Sequence, residues 1–185
     1  MDFIPETQQE SSIITSDIFN LAVKSAGNRP GHLEKDLGEP IQQILAFINK
    51  QPWVNYRRDL RVLAFLHDLG KARTTYDESG SLVGKGHSTI SQEIATEFTN
   101  DQRLLYLIRI HDKYFHFYRD DGKGKLNKSK FLKTYNNTDL ETLTRFHYAD
   151  SNNRERSSAQ WFEDQCAILG LKKERLYEIE PEVLI

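Results

Sequence analysis

Residues 65–71 read FLHDLGK and end an apolar run. The stretch puts an imidazole, His67, beside a carboxylate, Asp68, at the edge of a predicted core. A buried carboxylate without a partner is costly, so we expect a cation or a tight hydrogen-bond network beside Asp68. The stretch can also be interpreted as an ordinary helix end, with Gly70 as its stop and Lys71 near the negative end of the helix dipole.

The composition favours a single domain. The chain has 185 residues, and its net charge of −2 gives no overall attraction for nucleic acid, so any such contact must come from a local patch. The single cysteine, Cys166, cannot form an internal disulfide, which fits a reducing compartment. No apolar run approaches the ~18 to 20 residues of a membrane span, and the N-terminus lacks the pattern of a secretory signal. We therefore expect a cytoplasmic protein.

Apolar residues recur at helical spacing along most of the chain, for example at Ile41, Ile44 and Ile48. Residues 73–86 differ, because β-favouring residues flank the turn Asp77-Glu78-Ser79-Gly80, which predicts a loop or small hairpin. We therefore predict an all-α fold, a single-domain bundle of six to eight helices with a short hairpin-like connector. The expected organisation is a loose N-terminal arm over 1–15, a helical domain over 16–170 and a peripheral C-terminal tail over 171–185.

Several histidines and carboxylates stand at the inner ends of apolar helical faces or beside glycines. The set consists of His32, His67, Asp68, His87, His111 and Asp150. It contains imidazoles and carboxylates and no thiolate, a composition that suits Mn, Fe, Ni, Co, Mg or Zn in a nitrogen and oxygen site. Without a metal, His87 would be a helix-start cap and His111 a hydrogen-bonded core histidine.

The order of these residues resembles the HD superfamily of metal-dependent phosphohydrolases, which is named for the His-Asp dipeptide. His32 precedes the dipeptide His67-Asp68, and Asp150 stands near the end of a later helix. The resemblance spans roughly residues 16–170. It implies an all-α fold, one or two divalent ions and phosphoester hydrolysis, and it does not fix a substrate.

A narrower resemblance is to the HD domain attached to bacterial tRNA nucleotidyltransferases. The segments that carry it are 66–73, 77–80, Gly86-His87, 108–111 and 148–150. No nucleotidyltransferase head is expected before residue 16, so the resemblance does not imply nucleotide addition.

The resemblance implies a role for each matching position. The positions that match the family's principal metal ligands are His32, His67, Asp68 and Asp150. His87 and His111 match the ligands of a second metal in dinuclear members, with Asp68 then bridging the two ions. His147, one turn before Asp150, would orient that carboxylate by a hydrogen bond, or it is an ordinary half-buried histidine.

Asp68 and Lys71 are the candidate catalytic residues. A divalent ion held by such ligands would activate water and polarise a phosphoryl oxygen, and Lys71 would stabilise charge that grows on the phosphate. The candidate contacts to substrate phosphate are Lys71, Arg73, Arg109 and Lys113. Taken alone, each of these cations can equally be a solvated surface charge or, for Lys71, a helix-end lysine.

The hypothesis from sequence is a metal-dependent phosphohydrolase acting on a nucleotide or RNA-terminal phosphoester, either a monoester or a 2′,3′-cyclic diester. The alternative is a non-catalytic module in which a metal stabilises an RNA- or protein-binding surface. The lysine run from Lys123 to Lys133, near the aromatic residues 114–118, is a candidate RNA contact. His116 lies within that aromatic segment and is expected at a pocket lip rather than among the ligands.

Overall fold

The computed structural model describes residues 2–24, 36–151 and 156–181, with only the backbone described at residue 156. The helices are α1 Gln8–Ile14, α2 Asp17–Lys24, α3 Gly38–Lys50, α4 Val54–Leu66, a 3-10 helix Leu69–Arg73, α5 His87–Ala95, α6 Gln102–Ile110, α7 Lys113–Asp121, α8 Lys128–Tyr135, α9 Leu140–Asp150, α10 Arg156–Ile168 and α11 Leu176–Ile179. Two short strands, β1 Thr75–Tyr76 and β2 Leu82–Val83, pair antiparallel. The predicted all-α class and the hairpin connector are confirmed.

The structure divides the helical regions more finely than the expected six to eight helices. The main reason lies in residues 113–135, where α7 and α8 flank a short turn that contains Gly122 and Gly124. Gly124 adopts a φ of 66°, a conformation that side chains with a Cβ rarely adopt, so one continuous helix is not possible there. None of the helices within the described ranges is long and apolar enough to cross a membrane.

Helix α4 lies at the centre of the core. Its second half is fully buried, with Leu60, Leu63 and Leu66 at 0% exposure, and it packs against α1, α3, α5, α6 and α9. Helix α9 is its main long-range partner and is itself buried from Thr142 to Ala149. The C-terminal ends of these two packed helices lie close together. The polar residues at and directly after these ends therefore share one region.

The N-terminal segment corrects the expectation of a loose arm over 1–15. Residues Gln8–Ile14 form α1, which buries Glu10 and Ile13 completely. The Arg61 guanidinium of α4 lies 2.7 Å from the Glu10 carboxylate and donates a second bond to the carbonyl of Ile4 at 2.9 Å. A buried guanidinium requires such a partner, so this ion pair docks the segment on the core.

The C-terminal segment also differs from the peripheral tail expected over 171–185. Leu176 in α11 is fully buried, and its N–H donates to the buried Glu163 at 2.6 Å. Glu180 accepts a hydrogen bond from Arg145 at 2.7 Å. These buried and charged contacts hold the described part of the segment, up to residue 181, against α9 and α10.

Candidate metal centre

His67 stands directly after α4 and is oriented by that helix. Its Nδ1 lies 3.1 Å from the carbonyl oxygens of both Leu63 and Ala64. The Leu63 carbonyl also accepts the backbone N–H of His67 at 2.9 Å, and the carbonyls of the last helical turn have acceptor capacity left, so Nδ1–H donates to them. The ring is almost fully buried, and Nε2 is left as its free nitrogen. A metal-binding histidine commonly has its second nitrogen fixed in this way.

Asp68 is the residue on which the site converges. Its Oδ2 contacts the Lys71 ammonium at 2.6 Å and lies 3.3 Å from Nε2 of His67. Its Oδ1 faces Nε2 of His87 at 3.3 Å and Nε2 of His111 at 3.5 Å. This oxygen is buried, yet it has no hydrogen-bond partner among the described residues. An unpartnered buried carboxylate oxygen among imidazole nitrogens is the environment of a cation ligand.

His111 is positioned in the same manner as His67. It follows the last residue of α6, and its Nδ1 donates to the carbonyl of Ile108 at 2.7 Å. The ring lies edge-on to His67, with the centroids 5.1 Å apart. Phe146 of α9 packs against the His67 ring at 5.1 Å and closes the apolar side of the site.

His87 reaches the site from a different direction, because it is the first residue of α5. The 3-10 helix packs against this helix, and the N–H of Gly70 donates to Oγ of Ser91 at 2.8 Å. A Cβ at Gly70 would lie 2.6 Å from the backbone nitrogen of Ser91 and well inside contact with the carbonyl of His87. Only glycine allows this approach, so Gly70 determines how close His87 comes to Asp68.

Asp150 is the last residue of α9, and its Oδ1 lies 3.8 Å from Nε2 of His67. The structure therefore brings together five of the six predicted ligands, namely His67, Asp68, His87, His111 and Asp150. The sixth, His32, lies outside the described residues. Whether these side chains bind a metal stays a prediction.

Asp112 is a site residue that the sequence interpretation missed. Its Oδ2 lies 3.5 Å from Nε2 of His87. Two overlapping groups offer ligand atoms within 4.8 Å of one another, His67 with Asp68 and His111, and His87 with His111 and Asp112. The signal was present in the sequence, because His111-Asp112 is a second His-Asp dipeptide at a helix end.

The electrostatics of the site place Asp68 and His87 in the forms that bind metals and leave His111 protonated. Burial alone would raise the pKa of Asp68, but the Lys71 ammonium and the His67 and His111 rings lower it well below its usual value. Burial lowers the pKa of His87 to about 4. For His111, burial favours the neutral ring, yet Asp68 raises its pKa to about 9. At neutral pH Asp68 is ionised and His87 is neutral, and a bound cation would displace the proton of His111.

Other predicted residues lie around this centre. Lys71 contacts Asp68, as described above, and its side chain is 23% exposed. Arg73 is exposed at the end of the 3-10 helix, and Arg109 is exposed and hydrogen-bonded to Gln92 at 3.0 Å. Lys113 begins α7, directly after Asp112. Their contact with a substrate phosphate stays a prediction.

The remaining histidines do not join the ligand set. His147 is fully buried and stacks on Tyr114 with ring centroids 3.8 Å apart. Neither of its nitrogens has a hydrogen-bond partner among the described residues, so it does not orient Asp150. Burial lowers its pKa well below the usual value. His116 is exposed and contacts Arg119 at 3.0 Å.

Fold and site together define an all-α domain with a histidine and aspartate centre that suits a divalent metal. The family model of the HD domain matches residues 41–143, more than half of the 185-residue chain. The chain therefore belongs to the HD domain family, whose members are typically metal-dependent phosphohydrolases. No curated protein and no solved structure matches the chain. The narrower resemblance to the tRNA nucleotidyltransferase HD domain stays a prediction.

Proposed function

We propose that this chain is a metal-dependent phosphohydrolase that cleaves a nucleotide or RNA-terminal phosphoester, either a monoester or a 2′,3′-cyclic diester. The observation that carries the proposal is Oδ1 of Asp68, a buried carboxylate oxygen without a hydrogen-bond partner among the described residues. It faces Nε2 of His87 at 3.3 Å and Nε2 of His111 at 3.5 Å. Membership of the HD family supports the same class of reaction.

The exposure of the site supports catalysis rather than a purely structural metal. The His67 side chain is only 3% exposed, whereas those of Asp150, Asp112 and Lys71 are 23%, 25% and 23% exposed. The centre is thus buried at His67 and accessible to solvent at Asp150, Asp112 and Lys71. Structural metal sites are closed by protein ligands, while catalytic sites keep a position for water or substrate.

The ligand set fits one or two divalent ions of Mn, Fe, Ni, Co or Mg, because it offers nitrogen and oxygen atoms and no sulfur. A first ion would be held by His67, Asp68 and Asp150, with His32 as a further candidate. A second would be held by His87, His111 and Asp112, with Asp68 shared. Such an ion lowers the pKa of bound water and polarises a phosphoryl oxygen.

The chain's own residues supply positioning and charge. The fixed Nδ1 atoms of His67 and His111 hold their Nε2 atoms toward Asp68, which preorganises the site. The Lys71 ammonium contacts Oδ2 of Asp68 and its side chain is 23% exposed, so it is placed to stabilise negative charge on a substrate phosphate. Arg73, Arg109 and Lys113 are the further candidates for phosphate contacts, and guanidinium groups suit bidentate binding.

The test is a panel of nucleoside monophosphates, RNA 3′-phosphates and 2′,3′-cyclic phosphates, assayed with Mn²⁺, Ni²⁺, Co²⁺ and Mg²⁺. We expect turnover that is abolished by His67→Ala or Asp68→Ala and retained in Lys50→Ala, a change at an exposed residue of α3 outside the ligand set and the candidate phosphate contacts. Turnover that survives both ligand variants would contradict the proposal. So would a metal-loaded protein that is inactive on the whole panel. A melting temperature that falls on chelation, without turnover, would identify the non-catalytic alternative.

A further inference from the structure

The surface formed by α7, α8 and the turn between them carries a concentration of positive charge. Residues 113–133 contain seven lysine or arginine side chains and two carboxylates, whereas the whole chain has 25 basic and 27 acidic residues. The five lysines of its second half are all exposed, and none pairs with a carboxylate within the described ranges; they are Lys123, Lys125, Lys128, Lys130 and Lys133. We refer to residues 113–133 as the basic face.

The basic face begins at the metal centre. Asp112, which contacts His87, immediately precedes Lys113, the first residue of α7. Lys113, His116 and Arg119 follow at three-residue spacing and therefore share one side of this helix. A nine-residue helix is ~13 Å long, so α7 extends by that distance from Asp112 at the site to the turn that carries Lys123 and Lys125.

The lysines of the turn are held in place by backbone hydrogen bonds. The N–H groups of Lys123 and Lys125 both donate to the carbonyl of Asp120, at 3.1 and 2.8 Å. Asn127 caps α8 by accepting a bond from the N–H of Lys130 at 2.9 Å. The charges are therefore presented on a defined backbone, which lowers the entropic cost of binding an extended polyanion.

The two carboxylates reduce this charge only in part. Asp121 accepts a hydrogen bond from the Trp161 indole at 2.7 Å, which directs it toward α10. Asp120 is exposed and lies on the helix side that carries Lys113. The excess of lysine and arginine therefore remains along most of the face.

An exposed aromatic ring borders the same surface. Tyr106 of α6 is 37% exposed, and its hydroxyl donates to the carbonyl of Thr134 in α8 at 2.7 Å. This bond holds the ring against α8 at Thr134, which directly follows Lys133 in the chain. Lysines along a track with an aromatic ring at its edge are the combination that binds single-stranded nucleic acid, because the cations pair with phosphates and the ring stacks on a base.

We propose that the basic face binds the phosphodiester backbone of a single-stranded polynucleotide whose end enters the metal centre. The substrate would then be the end of a strand rather than a free nucleotide. This inference rests on the proposed function for the chemistry at the strand end. Binding itself is independent of hydrolysis, so the two can fail separately.

The experiment measures the fluorescence anisotropy of a labelled single-stranded RNA of about twelve nucleotides with the full chain, in chelator so that no hydrolysis occurs. A second series of measurements uses single-stranded DNA of the same sequence. The test variant is Lys128→Gln, Lys130→Gln and Lys133→Gln combined. Its matched control removes the same charge at exposed lysines elsewhere, with Lys24→Gln, Lys50→Gln and Lys173→Gln combined.

We expect the wild-type affinity to fall as salt rises. The test variant should reduce the slope of log affinity against log salt by about 2, since each lysine–phosphate contact on a single strand contributes ~0.7. Tyr106→Leu should weaken binding roughly tenfold through lost base stacking, while Tyr106→Phe, which keeps the ring and loses only the bond to Thr134, should weaken it less. Binding of either RNA or DNA with this pattern supports the inference.

Three results would overturn it. One is the absence of salt-dependent binding of both strands, and another is an equal loss of affinity in the control variant. The third is competition by polyglutamate as effective as that by unlabelled RNA, which would identify the face as a site for an acidic protein. If binding has the expected pattern while the substrate panel gives no turnover, only the proposed function fails.

Discussion

Substitution of Gly70 should move His87, the ligand that α5 supplies, away from His67 and Asp68 in the metal centre. The N–H of Gly70 donates to Oγ of Ser91 at 2.8 Å, and an added Cβ would lie 2.6 Å from the backbone nitrogen of Ser91. It would also lie well inside contact with the carbonyl of His87. Ordinary contact requires ~3.5–4.0 Å, so Gly70→Ala must push the start of α5 away by ~1 Å or more.

A shift of this size exceeds the tolerance of a metal–ligand distance, but it costs the fold only a moderate part of its free energy of unfolding. Metal–ligand distances tolerate only about ±0.2 Å, so His87, now 3.3 Å from Asp68, would leave the ligand set. His67 and Asp150 come from the ends of α4 and α9, whereas the three atoms nearest to an added Cβ at Gly70 all belong to His87 and Ser91 of α5. Overpacking of this kind costs ~1–3 kcal/mol, and a chain of this length loses ~2–4 °C in Tm per kcal/mol.

The measurements are elemental analysis of the metal-loaded protein and its thermal unfolding. We expect Gly70→Ala to lose one bound ion per chain, to retain the other and to melt at a lower temperature. The matched control is Gly86→Ala, because Gly86 directly precedes the same helix and its added Cβ would meet nothing closer than Leu82 at 3.8 Å. A Gly70→Ala protein with the wild-type metal content and Tm would refute the argument that this contact positions His87.

Three further predictions concern the ion pairs and the second ion. Glu10→Ala should lower the free energy of unfolding in urea by ~1–3 kcal/mol, because it removes the buried carboxylate partner of Arg61 and leaves the more exposed Glu6 as its remaining described anionic partner; a loss near zero would mean that α1 is not docked. For Asp139, burial raises the pKa but bonds from Thr142 and Arg103 lower it overall, so its stabilisation is present above its unfolded pKa of ~3.9 and disappears as pH falls through the lower folded value. Asp139→Asn should therefore cost up to about 1 kcal/mol at neutral pH and nothing in strong acid, as measured by urea unfolding across pH. Asp112→Asn should weaken binding of one of two ions in a calorimetric metal titration, and an unchanged titration would remove Asp112 from the ligand set.

Much of the fold is predictable because it depends on local patterns. The apolar spacing that ends at Leu66 predicts a buried helix, and such a helix must deliver His67 and Asp68 at its end. The hairpin is predictable as well, since the turn at residues 77–80 contains Gly80, which adopts a φ of 77°. These features are decided by residues that lie within one or two turns of each other.

The docked termini are not predictable in this way. Residues 1–15 look polar and aperiodic, and Glu10 is buried only because Arg61, 51 positions away, supplies its counter-charge. The C-terminal segment has the same character, since Glu180 is held by Arg145, 35 positions away. A polar residue that is buried through a distant partner has the same local sequence pattern as a solvated one.

The candidate site was predictable to the extent that each helix orients its own ligand. At the ends of α4 and α6, carbonyls of the last helical turn accept Nδ1–H of His67 and His111, and both Nε2 atoms then face away from the helix end. A histidine directly after a buried helix therefore has its ring orientation encoded locally, and the same reasoning applied to His111 would have drawn attention to Asp112. His87 begins its helix, where no free carbonyl is available to orient the ring. Its position instead depends on the contact between Gly70 and Ser91 across 21 residues, which explains why the family resemblance, and not the local pattern, pointed to His87 as a ligand.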